Sequence, residues 1–182
     1  MRYSGYLIVS ILWLSAMVVA GDKPANSTSY SDADKTFSIE ASSHWKRQPD
    51  TEQSIPRCVL CISNMDATDA NLNPTINVCE LPHKNEKPPD LDAFADVLIQ
   101  TARRDRPDQG RFGKIERIKL DGTDARSFVF LTQSASGVVD CTKTILAFRS
   151  GKVYMIQFLC AESEYKTKSE SADKILATFH WK

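Results

Sequence analysis

Five cysteines (Cys58, Cys61, Cys79, Cys141 and Cys160) and three histidines (His44, His83 and His180) are the side chains of this chain best suited to thiol, metal or acid–base chemistry. Cys58-Val59-Leu60-Cys61 has the C-x-x-C spacing of redox pairs, whose reactivity depends on a lowered thiol pKa, often at a helix N-terminus. Here the motif is followed by Ile62 without helical periodicity, and the intervening Val-Leu is apolar, so a thiol–disulfide oxidoreductase stands only as an alternative. A second alternative is zinc, because Cys58 and Cys61 with Cys79 and His83 offer four soft ligands at ribbon-like spacing. The reading adopted is structural disulfides. Ser150-Gly151 between two apolar runs predicts a two-residue hairpin, in which Arg149 faces Lys152, Ile145 faces Ile156 and Cys141 faces Cys160. Such a pair lies about 5.5 Å apart at Cα if hydrogen-bonded, within the roughly 4.4–6.8 Å that disulfides span, although side chains are less close there. Cys79 is expected to pair with Cys58 or Cys61. Those two are three residues apart, so on one regular strand they face opposite sides and only one reaches Cys79.

No Gly-x-Ser-x-Gly, no His-Glu-x-x-His and no phosphate-cradling loop occurs, so no catalytic residue and no cofactor is assigned. His180 beside Trp181 reads as the cap of a terminal helix, and Trp45 as a core plug. One segment is locally basic. Arg103, Arg104, Arg106, Arg111, Lys114, Arg117 and Lys119 stand among only three acidic residues, a patch able to meet an anionic lipid or partner surface. Charge on an edge strand and helix end also accounts for it.

The elements that carry these residues follow from the pattern. Residues 1–20 read as a signal peptide: Arg2, an apolar run from Tyr6, and small or β-branched residues before cleavage after Ala20. The run is shorter than the roughly 20 residues of a membrane span, so none is expected once it is cleaved. Secreted or periplasmic export, with an oxidising compartment, is the expectation. Residues 21–35 are polar and aperiodic and read as a flexible leader, with a glycosylation sequon at Asn26 whose use is open. Residues 36–182 form one domain. Lys plus Arg equals Asp plus Glu at 23 each, which argues against non-specific nucleic-acid binding.

Leu91, Phe94, Ala95, Leu98, Ile99 and Ala102 recur at helical spacing between Asp90, an N-cap residue, and Pro107. A terminal helix is expected from about Ser163 almost to Trp181, with Tyr165, Ala172, Ile175, Leu176 and Phe179 on one stripe. Strands are expected at Phe37–Glu40, Thr75–Cys79, Lys114–Leu120, Ala125–Leu131, Val138–Phe148 and Val153–Cys160, with a tight turn at Asp121-Gly122. In the last of these, Tyr154, Ile156 and Phe158 point one way while Val153, Met155 and Leu159 point the other. Such a strand is covered on both faces. The fold class is therefore α+β: an antiparallel sheet sandwiched between helices, α/β/α.

The order of elements resembles a known family. An early Phe37-x-Ile39 strand with Trp45 soon after is followed by Ile76-Asn77-Val78, the Leu91–Arg104 helix, and Gly122–Arg126 leading a strand. Gly151-x-Val153-Tyr154-x-Ile156 and a closing helix ending Ile175-Leu176-Ala177-Thr178-Phe179 complete it. This is similar to the PsbP-like superfamily, which includes bacterial lipoproteins of the DcrB type. The resemblance implies an α/β/α sandwich and mostly non-enzymatic roles in assembly, binding or envelope maintenance. The expected function is an exported binding or assembly factor, its partner a protein or envelope component.

Overall fold

The structure is a computed structural model and describes residues 26–49, 57–66, 73–83, 87–105, 110–133 and 139–182. The signal-peptide reading of residues 1–20, the first part of the leader, and Arg106 of the basic segment lie outside those residues.

Two tight turns organise the centre. Asp121 and Gly122 (φ 44° and 76°) and Ser150 and Gly151 (φ 50° and 78°) all have positive φ, as the hairpin turns whose twist matches the flanking strands require. The first turn joins β7 (Glu116–Leu120) to β8 (Thr123–Gln133), and the second joins β9 (Val139–Arg149) to β10 (Lys152–Ala161). With β3 (Trp45–Arg47), β4 (Cys58–Asn64), β5 (Thr75–Leu81) and β6 (Gly110–Phe112) they build an eight-stranded antiparallel sheet. Its order is β3-β4-β5-β10-β9-β8-β6, with β7 also on β8. The register Arg149↔Lys152, Ile145↔Ile156 and Cys141↔Cys160 is the one the hairpin dictates.

The sheet is covered on both faces, but not by helices alone. Helix α1 (Leu91–Asp105) packs on one face, with Ala95 and Ile99 against Phe128 and Leu146. Asp90 caps it as expected, its Oδ1 accepting from the N–H of Asp92 (2.9 Å) and of Ala93 (3.3 Å). The other face carries α2 (Glu162–Leu176) together with a three-stranded sheet of β1 (Ser27–Ser31), β2 (Phe37–Ser42) and β11 (His180–Trp181). Tyr154, Ile156, Phe158 and Cys160 of β10 join Phe37, Ile39, Ile175 and Phe179 in that larger core. The expected α/β/α sandwich thus holds in part: a helix lies on each face of the large sheet, but on one of them it shares the layer with a small sheet.

Two further expectations are corrected there. Ser27–Ser31, read as flexible leader, is a strand paired along all of Ser38–Ser42. Its polar residues suit an edge strand, where one face meets water. The terminal helix stops at Leu176 instead of continuing almost to Trp181. The Thr178 hydroxyl donates into the helix end and also accepts the Glu40 N–H at 2.7 Å, which turns the chain into β11. His180 therefore caps no helix; it lies 3.0 Å from Asp121. Trp181 is held by its N–H on Asp121 and its indole N–H on the Leu120 carbonyl.

Candidate functional site

Three of the five cysteines, Cys58, Cys61 and Cys79, share the α1 face of the large sheet, whereas Cys141 and Cys160 lie in the core on the other face. Alternation along β10 sends Val153, Met155, Gln157 and Leu159 to that face, and the strand registers bring Cys79 opposite Met155, Asn77 opposite Gln157 and Thr144 opposite Gln157 on the other side. Cys58 stands opposite Cys79, and Cys61 opposite Asn77. Sequence spacing alone put Cys58 and Cys61 on opposite faces. A bulge at Val59 adds one residue between them and returns both to the same face as Cys79.

None of the five cysteines is bridged in the structure. Cys141 and Cys160 do face each other, as read, but the expected disulfide between them is not formed. The physical reason is parity. A two-residue turn makes Arg149–Lys152 a hydrogen-bonded pair, and every second pair after it as well, including Cys141–Cys160, whose side chains are the less close kind. Burial pushes the Cys141 thiol up to about 11 and that of Cys160 to about 12. Cys79 likewise has no disulfide to Cys58 or Cys61. Its thiol is raised well above the ordinary range, first by a hydrogen bond with Cys58 and then by burial. Burial, with Cys58 nearby, raises Cys61 to about 11.

The C-x-x-C pair lies within β4, so it has no helix terminus to lower its thiol pKa. The zinc set does not assemble. His83 is four residues beyond Cys79, roughly 13 Å at strand rise. Its Nε2 is 2.9 Å from the Lys87 carbonyl and its ring lies edge-on to Phe148. Among the described residues no three His, Cys, Asp or Glu side chains are placed to share a metal ion.

The basic segment is largely answered by carboxylates. Arg111 meets Glu162 at 3.2 Å, Arg117 meets Asp92 at 2.8 Å and Lys119 meets Asp124 at 2.7 Å. Arg103 lies over the Phe112 ring, 5.0 Å from its centre. Lys114 is exposed and Arg104 is exposed on the helix end. Arg126, which the sequence reading did not single out, is half-buried: its guanidinium grips both carboxylate oxygens of Asp92 and fastens α1 to β8. That grip, with Arg117, holds the Asp92 carboxyl down at about 2.

Two cavities flank α1. One of about 550 Å³ opens at its N-terminus, among Pro88, Pro89, Leu91, Arg117, Arg126 and Phe148. The arginines there are engaged with Asp92. The second, about 280 Å³, lies between α1 and the sheet. Leu98, Ile99, Ala102, Phe112, Phe128, Phe130 and Met155 give it apolar walls, and Thr101, Thr144 and Gln157 supply polar groups. Gln157 donates weakly to Thr144 at 3.4 Å. An apolar pocket with a few converging polar groups is the usual form of a small-ligand site. Sequence reasoning missed it. The available signal was Gln157, a polar residue in a strand otherwise apolar on both faces.

This architecture has solved counterparts. The solution structure of the cyanobacterial PsbP protein CyanoP from Synechocystis sp. PCC 6803 superposes with a TM-score of 0.63 over 90% of this chain and 97% of its own, at 14% identity. The fold is PsbP-like. LpqN of Mycobacterium tuberculosis, described as involved in cell envelope biogenesis, matches at a TM-score of 0.55 and 17% identity, over 85% of this chain and 90% of its own. A Bacteroides thetaiotaomicron structure matches at 0.55 and 10% identity over 85% of this chain, which spans 48% of that protein. No family model and no curated protein sequence matches the chain. At these identities the likeness bears on the PsbP-like fold alone.

Proposed function

We propose that this chain is an exported, non-enzymatic binding or assembly factor of the cell envelope, and that it binds through the cavity beneath α1. The observation carrying the reading is that cavity: apolar walls with Gln157 and Thr144 at the sheet, in a PsbP-like fold shared with an envelope-biogenesis protein. The signal-peptide pattern supports export. No helix among the described residues is long and apolar enough to cross a membrane. The cavity suits a small apolar or amphipathic group, because its few polar side chains offer hydrogen bonds rather than charge.

The test uses anilinonaphthalene sulfonate as probe. The mature chain is expected to bind it saturably, one to one, and Ala102→Phe, which fills the cavity, is expected to abolish binding while the fold survives by circular dichroism. Binding absent in the native protein, or unchanged in A102F, overturns the assignment of the site. N-terminal sequencing of the protein recovered from expressing cells is expected to begin at Gly21, and a chain retaining Met1 would overturn export.

A further inference from the structure

We propose that Cys58 and Cys79 form the oxidisable thiol pair of this protein, closing to a disulfide across β4 and β5, while Cys141 and Cys160 stay reduced. The inference is independent of the binding role. Both pairs face each other across neighbouring antiparallel strands, so facing alone does not distinguish them.

Parity distinguishes them. The Glu80 N–H donates to the Arg57 carbonyl at 3.1 Å, which makes Arg57–Glu80 a hydrogen-bonded position and the adjoining Cys58–Cys79 a non-hydrogen-bonded one. Cα atoms at such a position lie about 4.5 Å apart with their side chains at closest approach, inside the range disulfides span. Cys141–Cys160 occupies the alternate kind of position, set by the turn at Ser150-Gly151. Access points the same way. Cys58 is half-buried and is the entry point, whereas Cys79, Cys141 and Cys160 are all buried. The Cys58 thiol donates to the Leu60 carbonyl at 3.1 Å and lies 4.0 Å from Asn77 Oδ1, on the face it shares with Cys79. Cys61 shares the face but stands opposite Asn77, two residues along β5.

The oxidant is a small-molecule disulfide such as oxidised glutathione. The Cys58 thiolate attacks one of its sulfurs, forming a mixed disulfide and releasing one glutathione thiol. Cys79 then gives its proton to solvent and attacks the Cys58 sulfur, expelling the second glutathione. Two protein thiols are oxidised and one glutathione disulfide is reduced to two thiols.

The experiment incubates the reduced full-length chain in glutathione buffers of graded ratio, alkylates the remaining thiols and maps the peptides without reduction. Cys58, Cys61 and Cys79 share one tryptic peptide, so cleavage after Leu60 and before Asp66 is added to separate them. The expected result is a single bridge joining Cys58 to Cys79, retained in Cys61→Ser and lost in Cys58→Ser. A Cys141–Cys160 bridge, a bridge that uses Cys61, or no bridge in the most oxidising buffer overturns the proposal. The native-chain map decides it even if a variant fails to fold.

Discussion

The two faces of the large sheet are made by the same strands and do different work. Beneath α2 and the small sheet, β10 presents Tyr154, Ile156, Phe158 and Cys160, each at most 1% exposed. Aromatic rings continue that core outward: Phe37 stacks on Phe179 at 5.1 Å, and Tyr154 meets Trp181 at 5.0 Å. Beneath α1 the buried apolar cluster among the described residues is smaller: Ala95, Ile99, Phe128 and Leu146. The rest of that face carries Ser63, Asn77, Thr142 and three thiols, with Thr144 and Gln157 lining the cavity. One face is built for stability. The other gives up close packing and gains polar groups, three thiols and space.

That division is broken most directly by removing one large side chain from the α2 face. Phe158 is only 1% exposed, so Phe158→Ala leaves a cavity in the core, and a cost of about 3–5 kcal/mol is expected, a large share of a domain's usual 5–15. Urea denaturation followed by tryptophan fluorescence measures it. The matched change on the other face is Ile99→Ala, which enlarges the existing space beneath α1 rather than opening a new one. Its expected cost is lower, about 2 kcal/mol, at the small end for deletions of this size. If Ile99→Ala proves as costly as Phe158→Ala, the two faces are energetically alike and the division above is wrong.

Much of the framework was legible in sequence because its signals are local. Ser150-Gly151 sets the β9–β10 register by turn chemistry alone, and the i, i+3, i+4 apolar stripe marks α1. The candidate site was not legible, for two physical reasons. The bulge at Val59 has no Gly or Pro to announce it, and one inserted residue reverses which face Cys58 serves. Tertiary contacts decide the remainder. Thr178 and Phe179 continue a helical stripe in sequence, yet Thr178 bonds to Glu40 and Phe179 stacks on Phe37, so the chain ends in a strand. Arg126 likewise reads as a solvent-facing strand residue until Asp92, thirty-four positions away, is brought beside it.

The Asp92–Arg126 pair gives the smallest effect at neutral pH and the sharpest difference between faces. The Asp92 carboxyl lies at about 2, below its ordinary 3.8, because Arg126 donates to it and Arg117 adds a second bond. A carboxyl depressed in the folded state stabilises that state above its unfolded pKa, and the contribution is lost as pH falls through the folded value. The window here runs from about 3.8 down to about 2. Asp92 sits in the first turn of α1 and Arg126 on β8, so protonation releases the helix from the sheet at that end. The α2 face is joined to the sheet by apolar packing, by hydrogen bonds of Thr178 and Trp181, and by two single-contact ion pairs, Lys143–Asp173 at 2.6 Å and Arg111–Glu162 at 3.2 Å, neither of which has the two-oxygen grip of Arg126 on Asp92. Hydrogen exchange between pH 5 and 2 is therefore expected to lose protection in α1 before α2. In Arg126→Leu the acid-dependent part of that loss is expected to shrink, since Asp92 then keeps only the exposed Arg117 and titrates closer to its unfolded value in the folded state. Loss of protection in α2 first, or an unchanged acid response in R126L, would show that another carboxylate governs the acid limit.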